Sequence, residues 1–220
     1  MKKQDFCCLI ISGFGGGIQA GTVLRKHLQD SGMDAFLTTP SGKQPLRIEQ
    51  EHWIHGIRME YLALRKQYQN IVVIGLSVGG LLLMHLLDLR PKAVVFVNTP
   101  GFYAHREQKK ELKLIFDADL HPYMHGLFRA PHGRRELIRL VQHTAHGTCT
   151  VRCPALILQT KDDRVCHPGN ADELYKLLHF GDKTIRLYPE GGHNVLLSHM
   201  DLAVCSDIFQ FCSRMRGIQE

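Results

Sequence analysis

Short apolar runs rich in β-branched residues recur along the chain at positions 6–11, 35–38, 71–74, 93–97, 155–159 and 184–187. The segments between them are longer, and their apolar residues return every three to four positions. Unbroken apolar runs fit strands buried on both faces, and helical spacing fits the crossovers that join parallel strands. The pattern therefore predicts an α/β protein: a six-stranded, mainly parallel sheet wrapped by helices. Trp53, Ile57, Tyr61, Leu64 and Tyr68 would form the buried face of one helix, and Leu202, Cys205, Phe209 and Cys212 that of the last. Both faces are expected against the sheet.

Residues 99–152 break the alternation. The stretch is too long for one crossover and holds two helical patterns, at 105–116 and 134–143, so it reads as a small helical cap inserted into a single domain of residues 1–220. The cap is basic and carries much of the chain's formal charge of +6. A pI near 9.0 without a run of five or six basic residues gives no case for a nucleic-acid partner. The longest apolar stretches, 71–87 and 6–11, are short or broken by glycine, serine and histidine, so no membrane span is expected. Lys2 and Lys3 ahead of 6–11 imitate a secretory signal, but Asp5 intrudes and glycines stand where a small-x-small cleavage site would be; a first buried strand is the better reading. Seven cysteines, an odd number, argue against a full disulfide framework and for a cytoplasmic setting. Oligomeric state leaves no mark on the sequence.

Chemistry concentrates at a few places. Gly75-Leu76-Ser77-Val78-Gly79 fits G-x-S-x-G, with a strand pattern immediately before and an apolar helix pattern at 81–87 after. That setting presents a serine hydroxyl at the tip of a tight turn, where glycines leave room that side chains would fill. After the first strand, Ser12-Gly13-Phe14-Gly15-Gly16-Gly17 is a loop with little side-chain bulk. The backbone N–H groups of Phe14 and Val78 are the candidate donors of an oxyanion hole. A hydroxyl needs a base, and the base an orienting carboxylate. Among fourteen histidines, only His193 stands in a glycine-bearing loop, Glu190-Gly191-Gly192-His193-Asn194, between the last strand and the last helix. Asp162 and Asp163 both follow the strand at 155–159 and either could serve; Asp163 is preferred, with Asp162 as a solvated turn residue.

With these residues in the order Ser77, Asp163, His193, the chain resembles the α/β-hydrolase superfamily, and within it the compact bacterial carboxylesterases and monoacylglycerol lipases. The likeness is strongest at 10–17, 71–80 and 153–197. It implies a minimal six-stranded α/β-hydrolase fold with a catalytic triad of Ser77, Asp163 and His193. The family's first-strand loop usually reads His-Gly-Phe; here Ser12 replaces the histidine, while Phe14 is retained. The expected activity is hydrolysis of carboxyl esters with short or medium acyl chains through an acyl-serine. The alternatives are an acyl thioesterase, suggested by the basic cap, and a non-catalytic binding protein on the same fold. No cofactor and no metal are called for. His143, His146, Cys149 and Cys153 have zinc-like spacing, but Cys153 precedes Pro154 and a buried strand, and the histidines lie on a basic helix. His121 and His125 read as solvated, and Cys7 and Cys8 as packing residues.

Overall fold

The computed structural model of the chain describes residues 4–13, 17–39, 49–100, 131–146, 152–179 and 181–217. Six strands form one sheet: β1 (Gln4–Ile11), β2 (Ala35–Thr38), β3 (Tyr68–Leu76), β4 (Ala93–Val97), β5 (Ala155–Thr160) and β6 (Lys183–Tyr188). Their order is β2-β1-β3-β4-β5-β6, and every neighbouring pair is parallel. The helices are α1 (Gly17–Asp30), α2 (Gln50–Gln67), α3 (Val78–Met84), α4 (Pro131–His146), α5 (Asn170–Leu177) and α6 (Asp201–Gly217). Because the chain leaves β1 toward β2 and then returns to the other side for β3, the strand order reverses between β1 and β3. A crevice at the carboxyl ends of these strands is where open α/β sheets take their ligands.

Successive side chains of a strand point to opposite faces, and the core divides accordingly. Cys7, Leu9, Ile11, Val73, Phe96 and Ile157 pack with α2, α3, α4 and α5 on one face. Cys8, Ile10, Val72, Ile74, Val95 and Leu158 pack with α1 and α6 on the other. The runs at 6–11, 71–74 and 93–97 are thus apolar for the reason expected, burial on both sides.

Three element boundaries depart from the sequence pattern. Tyr68 opens β3 instead of continuing the face of α2, because β1 pairs as far back as Gln4 opposite Tyr68; its hydroxyl donates to Asp34 at 3.0 Å. The helix after Ser77 ends at Met84, and a single 3₁₀ turn, Leu87–Leu89, follows. In α6 the sheet-facing residues are Val204, Cys205, Ile208, Phe211, Cys212 and Met215, while Leu202, in the first turn, is 69% exposed.

The helix expected at 134–143 lies within α4. Leu137, Leu140 and Val141 enter the core. Glu136, fully buried, accepts the Gln50 N–H at the start of α2 at 3.2 Å and pairs with Arg139 at 2.8 Å. An anion at a helix start satisfies a backbone donor that has no partner inside the helix. The helix expected at 105–116, with His121, His125 and Cys149, lies outside the described residues. Among those described, no helix is long and apolar enough to cross a membrane.

Candidate active site

β3 runs into α3 through Ser77, whose φ of 52° and ψ of −123° are unusual for a residue with a side chain. Such a conformation persists only when its surroundings enforce it, and the flanking glycines show how. A Cβ on Gly75 would lie 2.5 Å from the Gly80 Cα, and one on Gly79 would lie 2.1 Å from the Ile11 carbonyl oxygen. Gly80 belongs to the same device, since its Cβ would meet the Thr99 hydroxyl at 2.1 Å. The turn is therefore wedged between the ends of β1 and β4, and the Ser77 N–H is tied to the Val97 carbonyl at 2.8 Å.

Ser77 Oγ stands 2.9 Å from His193 Nε2, and His193 Nδ1 stands 2.9 Å from Asp163 Oδ2. The other carboxylate oxygen of Asp163 accepts two backbone N–H groups, from Val165 at 2.8 Å and Cys166 at 2.9 Å. With its oxygens so engaged and its side chain wholly buried, Asp163 has one orientation, which fixes the imidazole with its proton on Nδ1 and the Nε2 lone pair toward the serine hydroxyl. The structure thus brings together Ser77, Asp163 and His193. Val78 opens α3 directly behind the serine, and Gly13 passes so close that a Cβ there would lie 3.0 Å from the Ser77 Cβ. Phe14, the other expected donor, lies outside the described residues.

Two residues that support this arrangement, Asn98 and Thr160, escaped the sequence reading, and Asp162 was read without its part in it. Asn98, buried at the end of β4 with φ 46°, donates from Nδ2 to the carbonyls of Gly192 at 3.1 Å and His193 at 2.9 Å. Its Oδ1 accepts the Thr160 N–H at 3.0 Å, and the Thr160 hydroxyl donates to the Gly192 carbonyl at 2.8 Å. Asp162 is the exposed turn residue expected, and its carboxylate also accepts the N–H groups of Gly191 at 3.2 Å and Gly192 at 2.9 Å. The Gly-Gly-His loop is held at its N–H groups by the residue beside Asp163 and at its carbonyls by the ends of β4 and β5. Only Asp162 had a local signal, a second carboxylate after β5; Asn98 and Thr160 become functional through contacts remote in sequence.

Of the zinc-like set, His143 is exposed with its ring against His85, whereas Cys153 is buried in the core. One other group of potential ligands is present among the described residues, Asp163, Cys166 and His193.

Residues 110–199, including Asp163 and His193 but not Ser77, match the family model described as serine aminopeptidase, S33. A carboxylesterase of Bacillus subtilis (strain 168) is 20% identical, over 97% of this chain and 95% of its own. A thermostable monoacylglycerol lipase of Bacillus sp. (strain H-257) is 27% identical, over 95% and 91%. Among solved structures, monoacylglycerol lipase of Paleococcus ferrophilus superposes with TM-score 0.69 at 16% identity, covering 96% of this chain and 94% of that one. A soluble variant of monoglyceride lipase from Saccharomyces cerevisiae gives 0.73 at 15%, covering 98% and 88%. The chain has the α/β-hydrolase fold. As the sequence suggests, the chain is similar to carboxylesterases and monoacylglycerol lipases, and its sheet is a six-stranded parallel one.

Proposed function

We propose that this protein is a serine esterase that cleaves carboxyl esters of short or medium acyl chains through an acyl-serine. The observation that carries the reading is the unbroken relay from Ser77 Oγ through His193 to Asp163, two contacts of 2.9 Å each. In the proposed reaction Ser77 attacks the carbonyl carbon as His193 Nε2 takes its proton. The developing oxyanion is met by the Val78 N–H and, in this reading, the Phe14 N–H. His193 then returns the proton to the departing alcohol, and a water activated by the same nitrogen releases the acid. Asp163 stabilises the imidazolium and stays ionised throughout. The chemistry runs on the chain's own groups. The unbridged thiols of Cys8 and Cys212, 3.7 Å apart in the core, support a reducing compartment such as the cytoplasm.

The test is turnover of a graded panel of p-nitrophenyl esters, with matched acyl-CoA thioesters alongside and labelling by a fluorophosphonate. The expected outcome is hydrolysis that favours esters over thioesters, and a covalent adduct on Ser77. In Ser77→Ala the adduct vanishes and kcat falls by about 10⁴-fold or more. Folded protein that neither turns over the esters nor takes the probe would end the proposal, and a higher kcat/KM for thioesters would hand it to a thioesterase.

A further inference from the structure

The turn that orients Asp163 also folds the chain back on itself. Because the Val165 and Cys166 N–H groups both bind Asp163 Oδ1, the fully buried Cys166 side chain is carried back beside the carboxylate it follows. A carboxylate oxygen of Asp163, the Cys166 sulfur and a ring nitrogen of His193 all lie within 4.8 Å of one another. Ligand atoms on a tetrahedral zinc stand roughly 3.2–3.8 Å apart, given bonds of about 2.0 Å to N or O and about 2.3 Å to S, so less than about 2 Å of closure would bring the three onto one ion.

We propose that this trio is an inhibitory binding site for a single thiophilic divalent cation, of the Zn²⁺ or Cd²⁺ class. The inhibition rests on the catalytic reading above; the binding does not. One thiolate, one imidazole and one carboxylate form a donor set for borderline and soft metals, and one that Mg²⁺ or Ca²⁺, which take oxygen ligands, would pass over. The charges match as well, since a dication between a carboxylate and a thiolate leaves a neutral cluster in a buried place. Asp163 Oδ1 keeps its two backbone donors while Oδ2, now facing His193 Nδ1, turns to the ion.

The protons account for the inhibition. On binding, the Cys166 thiol gives its proton to solvent and its sulfur bonds the metal. His193 bonds the metal through Nδ1, and its single ring proton moves to Nε2. Nε2–H cannot accept the Ser77 proton, so the base is switched off without any change at the serine. One proton leaves the protein per ion bound.

The test titrates metal-free protein with Cd²⁺, reading the ultraviolet thiolate-to-cadmium charge-transfer band, proton release and ester hydrolysis together, with Mg²⁺ as control. The expected result is one equivalent of cadmium with the band, in wild type and in Ser77→Ala alike, and loss of hydrolysis that a chelator reverses. The band is absent in Cys166→Ala and in the closer-packed Cys166→Ser, and whatever hydrolysis each retains is indifferent to Cd²⁺. A band and inhibition undiminished in both variants, or equal inhibition by Mg²⁺, would overturn the site. If wild type hydrolyses no ester, the band in Ser77→Ala and its loss in the Cys166 variants still decide whether the ion binds.

Discussion

Ser77 keeps a positive φ because three glycines leave no room for anything else, and this makes the elbow sensitive to a single methyl group. At Gly79 the added carbon would overlap the Ile11 carbonyl, an atom of an interior strand that cannot move without shifting its partners. Gly79→Ala is therefore expected to lower unfolding free energy by about 2–3 kcal/mol and to abolish ester turnover, read as a fall in urea midpoint and in kcat. The same change at Gly56, exposed in α2 with open space around its Cβ position, should instead stabilise by roughly 0.5–1 kcal/mol. Asn98 is the second sensitive residue. Removing its side chain leaves the buried Thr160 N–H without its acceptor and two loop carbonyls without their donor. Asn98→Ala should cost about 1–3 kcal/mol of stability and lower kcat with little effect on KM. Asn98→Gly separates two causes, because glycine accepts φ 46° without strain. If Asn98→Gly restores kcat, the backbone conformation matters and the hydrogen bonds do not.

At the scale of elements, α4 also meets the end of α3 through a half-buried histidine. His85, just past the end of α3, lies beside Thr144 of α4, with Nε2 3.1 Å from a hydroxyl that itself donates to the Leu140 carbonyl. Nε2 must therefore carry the proton, and ionisation would add a second one at Nδ1. Burial, then the neighbouring His143 and Arg58, outweigh Asp88 and press the His85 pKa down to about 4. An unfolded histidine titrates near about 6.5, so the folded state resists a proton that the unfolded state accepts. The contribution to stability is complete above about pH 6.5 and is lost as pH falls toward 4, amounting to at most about 3 kcal/mol. Urea midpoints of wild type should fall over that interval more steeply than those of His85→Gln; parallel profiles would reject the assignment. Elements of this kind are also where the sequence was least informative. Buried strands announced themselves because both faces must be apolar, and α2 because its period is long. The turn at His85, the start of β3 at Tyr68 and the orientation of α6 were not legible, since each is set by a tertiary partner: Thr144, Gln4, and the sheet that takes Val204 and Ile208 but leaves Leu202 in water. The convergence of Ser77, His193 and Asp163 was legible because each sits in a turn with its own local chemistry, whereas Asn98 is an ordinary asparagine until the chain has folded.

For the whole molecule, the strand order sets a gradient of stability on which the site depends. β1, β3 and β4 are interior strands with nearly every described side chain buried, while β6 is an edge strand whose residues are mostly exposed or half-buried. Amides of interior strands exchange with solvent only when the whole domain opens, and those of an exposed edge exchange through local openings that cost less. His193 follows directly on the edge strand, so its loop would move with the weakest part of the sheet if β6 alone held it. Instead the bonds from Asp162, Asn98 and Thr160 fasten it to the ends of β4 and β5, passing the rigidity of the centre to the base. The expected pattern in native-state hydrogen exchange is slowest exchange at 71–74 and 94–97 and faster exchange in β6. The Gly191 and Gly192 amides should be protected beyond what their half-buried loop position would give. In Asp162→Asn, which keeps an acceptor but not its charge, that protection should fall modestly. In Asp162→Ala it should fall by about ten-fold or more, since a hydrogen bond to a charged group contributes roughly 1.5–3 kcal/mol, with 71–74 unchanged. Were the loop amides equally protected in Asp162→Ala, the base would be held by the edge strand after all, and the gradient would have no part in positioning it.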